Sequence, residues 1–82
     1  MFVAAQISLY PLRQTSLSPA IENTLRVLRE HGLEVSPGTM STVASGEDEA
    51  VFDALKQAYR AASENGDVVM VVTLPNACPV QS

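Results

Sequence analysis

Phe2-Val3-Ala4-Ala5-Gln6-Ile7-Ser8-Leu9-Tyr10 is the stretch on which the fold turns. Val3, Ala5, Ile7 and Leu9 fall on one side of an extended chain, and Gln6, Ser8 and Tyr10 on the other. That is the period of a strand with one covered face. Pro11 ends it, because proline cannot donate to a ladder, and Leu12 to Leu17 reads as a loop. Ser18-Pro19 then opens a helix, with serine as a favoured N-cap and proline at the first helical position, whose N–H needs no partner. Ile21, Leu25 and Leu28, with Val27 beside them, recur at helical spacing, while Glu22, Arg26, Arg29 and Glu30 take the outer face. Glu22 precedes Arg26 by one turn, the better orientation for a helical ion pair. Gly32 ends the helix, with His31 in its last turn.

Beyond Gly32 the pattern shortens again. Leu33 to Ser36 reads as a strand, Pro37-Gly38 as a turn, and Thr39 to Ser45 as the returning strand of a hairpin. Glu47, Asp48 and Glu49 then place acids in a first helical turn, where the dipole favours them. Val51, Phe52, Leu55, Ala58, Tyr59 and Ala62 form the expected buried stripe of a second helix, which Asn65-Gly66 closes. Asp67 to Leu74 is the last strand, and residues 75–82 are a tail.

The order is β-α-β-β-α-β. Right-handed crossovers fold this into an α+β, ferredoxin-like domain, a four-stranded antiparallel sheet with two helices on one face. The 82 residues are read as a single domain. A chain of this size buries only roughly 60–65% of the surface its unfolded form exposes. Two helices cover one face only, so each strand should alternate apolar and polar residues. Val68-Val69-Met70-Val71-Val72 is apolar on both sides and is expected at a sheet edge, where an unprotected apolar strand invites pairing. A homo-oligomer, homodimer or homotetramer, is therefore expected to cover the second face, an edge, or both.

Composition excludes several classes. The longest apolar run is far below the ~18 residues that span a bilayer, so no membrane insertion is expected. A start with no basic leader and a single cysteine, Cys78, fit a reducing cytoplasm. One histidine leaves no His pair for zinc, and a net charge of −4 argues against nucleic acid. Neither metal nor cofactor is expected. Catalytic groups are scarce. His31 has no evident Asp or Ser partner and reads as a solvated capping residue. Cys78, between Ala77 and Pro79, reads better as a ligand wall or packing residue than as a nucleophile. The Glu47–Glu49 run reads better as a helix start than as a metal site.

The polar residues of the uncovered face are more informative. Gln6, Ser8 and Tyr10 form a row on a strand expected at the sheet centre, with Ser41, Thr42 and Thr73 on neighbouring strands and Asn76 just beyond. Hydroxyls and amides among apolar walls can fix an aromatic heterocycle. They could equally bridge subunits.

Ile7-Ser8-Leu9-Tyr10-Pro11-Leu12 resembles the first-strand signature of the YkoF-type thiamine-binding proteins. Met40-Ser41-Thr42-Val43, followed by an acidic insert and Ala50-Val51-Phe52-Asp53-Ala54, is similar to that family's third strand and second helix. Val68-Val69-Met70 with Ala77-Cys78-Pro79 is similar to its last strand and tail. The resemblance implies ferredoxin-like domains that associate through their sheets and bind thiamine or its hydroxymethylpyrimidine part without catalysis. The family's namesake carries two such domains in tandem, so here the second would come from another copy. Gln6, Ser8, Ser41, Thr42, Thr73 and Asn76 are then expected to hydrogen-bond an aminopyrimidine edge. Tyr10 or Met70 would lie against the ring, with Cys78 in the tail and Asp53 a weaker candidate. The competing readings are an oligomerising or regulatory subunit without a vitamin ligand and an acylphosphatase-like hydrolase. The second is disfavoured because Leu12-Arg13-Gln14-Thr15 has one arginine and no glycine to cradle phosphate.

Overall fold

In the computed structural model the elements run β1 (Phe2–Pro11), α1 (Ser18–Glu30), β2 (Glu34–Pro37), β3 (Thr42–Glu47), α2 (Asp48–Ser63) and β4 (Val68–Thr73). The structure describes residues 1–13, 18–38, 41–64 and 66–76, without the side chain of Ser18. The sheet is antiparallel throughout, in the order β2-β3-β1-β4. This is the expected ferredoxin-like arrangement, with β1 at the centre and β4 at an edge.

β1 sets the two faces. Val3, Ala5 and Ile7 point to the helices and are buried, while Phe2, Gln6 and Tyr10 on the other side are exposed. Ala5 and Ala44 pair across the strands and are both fully buried. β3 continues past Ser45, where the strand was expected to end, through Gly46 to Glu47. Gly46 lies opposite Val3 on the helix side, where a Cβ would come within 2.7 Å of Leu33 Cδ2. Pro11 is tolerated as the last β1 residue because it pairs only with Val68, beyond the end of the β1–β3 ladder.

The helices bury Val27, Leu28, Val51, Ala58 and Ala62 as expected and differ from the sequence reading at the edges of their stripes. The buried stripe of α1 is Ala20, Thr24, Val27 and Leu28, with Ile21 40% exposed and Leu25 half-buried. On α2 the buried positions are Val51, Ala54, Ala58 and Ala62, while Phe52 and Tyr59 stand at the surface. The alanines let α2 approach its neighbours closely, which leaves the two rings to its flank. Arg26 pairs with Glu30 at 3.3 Å in place of the expected Glu22. Gly32 does end α1, at φ +76. Its N–H donates to Arg29 O at 3.0 Å and that of Leu33 to Leu28 O at 3.4 Å, the two bonds of a Schellman cap. The cap turns Leu33 into the core beside Leu28.

Leu28 and Val51 are the largest fully buried side chains. Leu28→Ala is expected to lower unfolding free energy by about 2–5 kcal/mol, read as a shifted urea midpoint at unchanged slope. A loss below about 1 kcal/mol would show that the packing around α1 is not the one described.

Candidate functional site

The sequence places its candidate residues on one sheet face, and the ladder register divides them. Gln6 lies opposite Val43 and Thr73, Ser8 opposite Val71, and Tyr10 opposite Val69. These share the open face. Thr42 lies opposite Ile7 and Met70 opposite Leu9, so both belong to the helix side. Thr42, the first residue of β3, is therefore not on the open face where the sequence reading put it, while Ser41 precedes the strand. Met70 packs against the buried core. Asn76 is exposed past the end of β4, and Asp53 is exposed on α2. Cys78 and Met40 lie outside the described residues.

The open face mixes the polar Gln6, Ser8, Ser45 and Thr73 with large apolar side chains. Phe2, Tyr10, Val43, Val69 and Val71 on it are each 40–62% exposed. Gln6 sits among them and donates from Nε2 to Ser41 Oγ at 3.1 Å.

The concave feature near the candidate residues is on the other side of the sheet. The β1–β3 ladder closes at Ile7–Thr42, so Leu9 extends past it. The N-terminal half of α1 roofs the gap, and the β2–β3 hairpin closes its end. The result is a half-open cleft of about 130 Å3, with walls from Ile7, Leu9, Ile21 and Leu25 and polar groups from Thr24, Ser41 and Thr42, beside Gly38. Gly38 N donates to Ser41 O at 2.8 Å. A Cβ on Gly38 would lie 2.8 Å from that same oxygen, so glycine is required for the hairpin to close here. An apolar cavity of about 150 Å3 holds one benzene ring, which makes this cleft ring-sized. Shallower depressions lie on the outer flank of α1, around Leu25, Arg26 and Arg29, and at the end of α2, around Tyr59 and Asp67.

Hydrogen bonding gives the cleft a polarity. Thr24 is buried, and its hydroxyl donates to Ala20 O at 2.9 Å, so towards the cleft its oxygen can only accept. Ser41 Oγ already accepts from Gln6, and its own proton remains to donate. Apolar walls with an acceptor at Thr24, a donor at Ser41 and a further hydroxyl at Thr42 can take an aromatic heterocycle carrying an amino group beside a ring nitrogen. The sequence reading missed Thr24, because a threonine in an amphipathic helix reads as outer surface. Its signal was spacing, since it lies four residues after Ala20 and four before Leu28. Among the described residues no group of three or more His, Cys, Asp or Glu side chains is arranged to hold a metal ion. No helix among them is long and apolar enough to cross a membrane.

Topology and sheet order define a ferredoxin-like α+β protein with one helix-covered and one open sheet face. Within that class the chain belongs to the YKOF-related family, whose model matches residues 2–81. No curated protein matches it. A hypothetical protein from Methanocaldococcus jannascii has the same fold at a TM-score of 0.84 and 24% identity, covering 98% of this chain and 84% of that one. A Streptococcus pneumoniae protein gives 0.85 at 20% identity, covering 94% and 88%. A Thermotoga maritima protein, named as a proposed thiamine biosynthesis or salvage protein, gives 0.82 at 19% identity, covering 94% and 85%. At these identities the likeness shows the shared fold.

Proposed function

We propose that this protein is a non-catalytic binder of thiamine or its hydroxymethylpyrimidine moiety, and that the pyrimidine ring enters the cleft between α1 and the β1–β3 sheet. The observation that carries this is the ring-sized cleft with an acceptor at Thr24 and a donor at Ser41. In the proposed pose the exocyclic amino group donates to Thr24 Oγ1, the Ser41 hydroxyl donates to a ring nitrogen, and Ile7, Leu9, Ile21 and Leu25 flank the ring. Family membership and the thiamine-related name of the Thermotoga maritima neighbour support the choice of ligand. The cleft is smaller than the roughly 300 Å3 at which pockets for drug-sized molecules begin. It takes the pyrimidine and leaves the thiazolium of thiamine at the mouth.

This moves the ligand from the open face, where the polar row first suggested it, to the helix side. The row of Gln6, Ser8, Tyr10 and Thr73 then belongs to self-association. A second copy covers the open face of the first, because contiguous exposed apolar side chains on a sheet are a surface that a soluble protein buries. The same exposed face favours the competing reading, an oligomerising subunit with no vitamin ligand, and titration separates the two.

Calorimetric titration with hydroxymethylpyrimidine is expected to show binding, and free ligand at 100 times Kd should stabilise the protein by about 2.7 kcal/mol. Thr24→Val keeps the side-chain volume and removes the acceptor. It should weaken binding by roughly tenfold while costing no more than ~1.5 kcal/mol of stability. Absence of both heat and thermal shift at millimolar ligand would leave the oligomerising reading standing. For self-association, light scattering should find a multimer at micromolar concentration. Val71→Lys should shift it to monomer by placing a desolvated charge at the centre of the interface. A monodisperse wild-type monomer would contradict the paired-face arrangement.

A further inference from the structure

We propose that ligand binding in the cleft and self-association through the open face strengthen one another, and that Gln6 carries the coupling through its hydrogen bond to Ser41. The inference rests on both parts of the proposed function and deepens them to a regulation of the same site. Gln6 lies where the two ladders of β1 overlap, opposite Val43 on one side and Thr73 on the other. Its backbone is therefore held at the centre of the sheet, and its side chain stands exposed on the open face. From there Nε2 donates to Ser41 Oγ at 3.1 Å. Ser41 is half-buried and lines the cleft. One hydrogen bond thus joins the two surfaces, and Gln6 is a positioning residue that acts through Ser41.

In the isolated chain water reaches Gln6 and competes for this bond, so the bond contributes little. A second copy over the open face removes that water. The amide donor is then costly to leave unpaired, and Ser41 Oγ is the acceptor within its reach. With the bond fixed, the Ser41 oxygen accepts from the sheet side, and its proton is left for the cleft. Binding acts in the reverse direction. A ring nitrogen that takes the Ser41 proton polarises the hydroxyl and makes its oxygen a better acceptor for Gln6. The Gln6 side chain is then ordered before the second copy arrives. Ordering one long side chain at an interface is worth roughly threefold to tenfold in affinity, which sets the size of the effect. The two states are Gln6 held on Ser41 and Gln6 turned to water. Ligand and second copy both favour the first, and linkage makes their effects on each other equal.

The test is sedimentation velocity of the full chain with and without saturating hydroxymethylpyrimidine, paired with titrations at dilute and concentrated protein. Ligand Kd should fall by roughly threefold to tenfold as the protein passes from monomer to dimer. Each copy carries one cleft, so saturating ligand should lower the dimer Kd by the square of that factor, roughly tenfold to a hundredfold. Gln6→Met keeps a long unbranched side chain on the exposed face and removes the donor, with little cost to the fold. It should still bind and still associate, with each constant independent of the other within about twofold. Ser41→Ala removes the other end of the bond and should abolish the coupling as well as weaken the ligand. A wild-type protein that binds and associates with independent constants would overturn the proposal while leaving both parent readings in place. Ligand that weakens association would overturn its sign, and coupling that survives in Gln6→Met would overturn the assignment to Gln6. Absence of binding, seen in the titrations, would instead remove the cleft reading. Absence of association, seen in ligand-free sedimentation, would remove the paired-face reading. Either loss takes the coupling with it.

Discussion

β1 is hydrogen-bonded on both sides, to β3 from Phe2 to Ile7 and to β4 from Gln6 to Pro11. The rest of the molecule depends on that double pairing. A strand held from both edges cannot slip by one residue without turning its whole apolar set to the wrong face. Val3, Ala5 and Ile7 therefore fix the helix side, and every residue opposite them on β3 and β4 inherits a face. The offset of the two ladders matters as much as their presence. Beyond Ile7 the strand keeps only its β4 neighbour, and the helix-side surface above Leu9 is left for α1 to roof.

The cleft follows from that offset. It is a gap between a ladder that ends and a helix that continues, closed at one end by the Gly38 turn. Its chemistry is set by which groups are already engaged: Thr24 has given its proton to its own helix, and Ser41 has accepted one from Gln6. The Gln6 contact also links the two faces, since Gln6 stands on the open side and Ser41 borders the helix-side cleft. A hydroxyl shared in this way puts the proposed ligand site one hydrogen bond away from the surface proposed for self-association.

Much of the fold was legible because its signals are local. The alternation of β1, the Ser18-Pro19 start, the Gly32 stop and the Pro37-Gly38 turn each act within a few residues, and the order of elements leaves one sheet topology. The face of each residue was legible only where alternation is clean. In β4 the run from Val68 to Val72 carries no contrast, so the helix-side position of Met70 comes from its register with Leu9. Ser41 and Thr42 are adjacent hydroxyls, and composition cannot say that both border the helix-side cleft. The helix stripes held at Val27, Leu28, Val51, Ala58 and Ala62 but missed at Ile21, Phe52 and Tyr59, which are large and apolar yet stand exposed. The remaining buried contacts fall to Thr24 and to the small Ala20 and Ala54. Cleft walls and flanks use the same residue types as a core, so a pattern of hydrophobicity does not separate them.

The location of the ligand is the claim on which this account stands, and amide chemical-shift mapping tests it most directly. Hydroxymethylpyrimidine titrated into uniformly 15N-labelled protein should move the resonances of Thr24, Leu25, Ser41 and Thr42 and leave Val69 and Val71 in place. Shifts confined to Val69, Val71 and Tyr10, with Thr24 and Leu25 unmoved, would put the ligand on the open sheet face and contradict it.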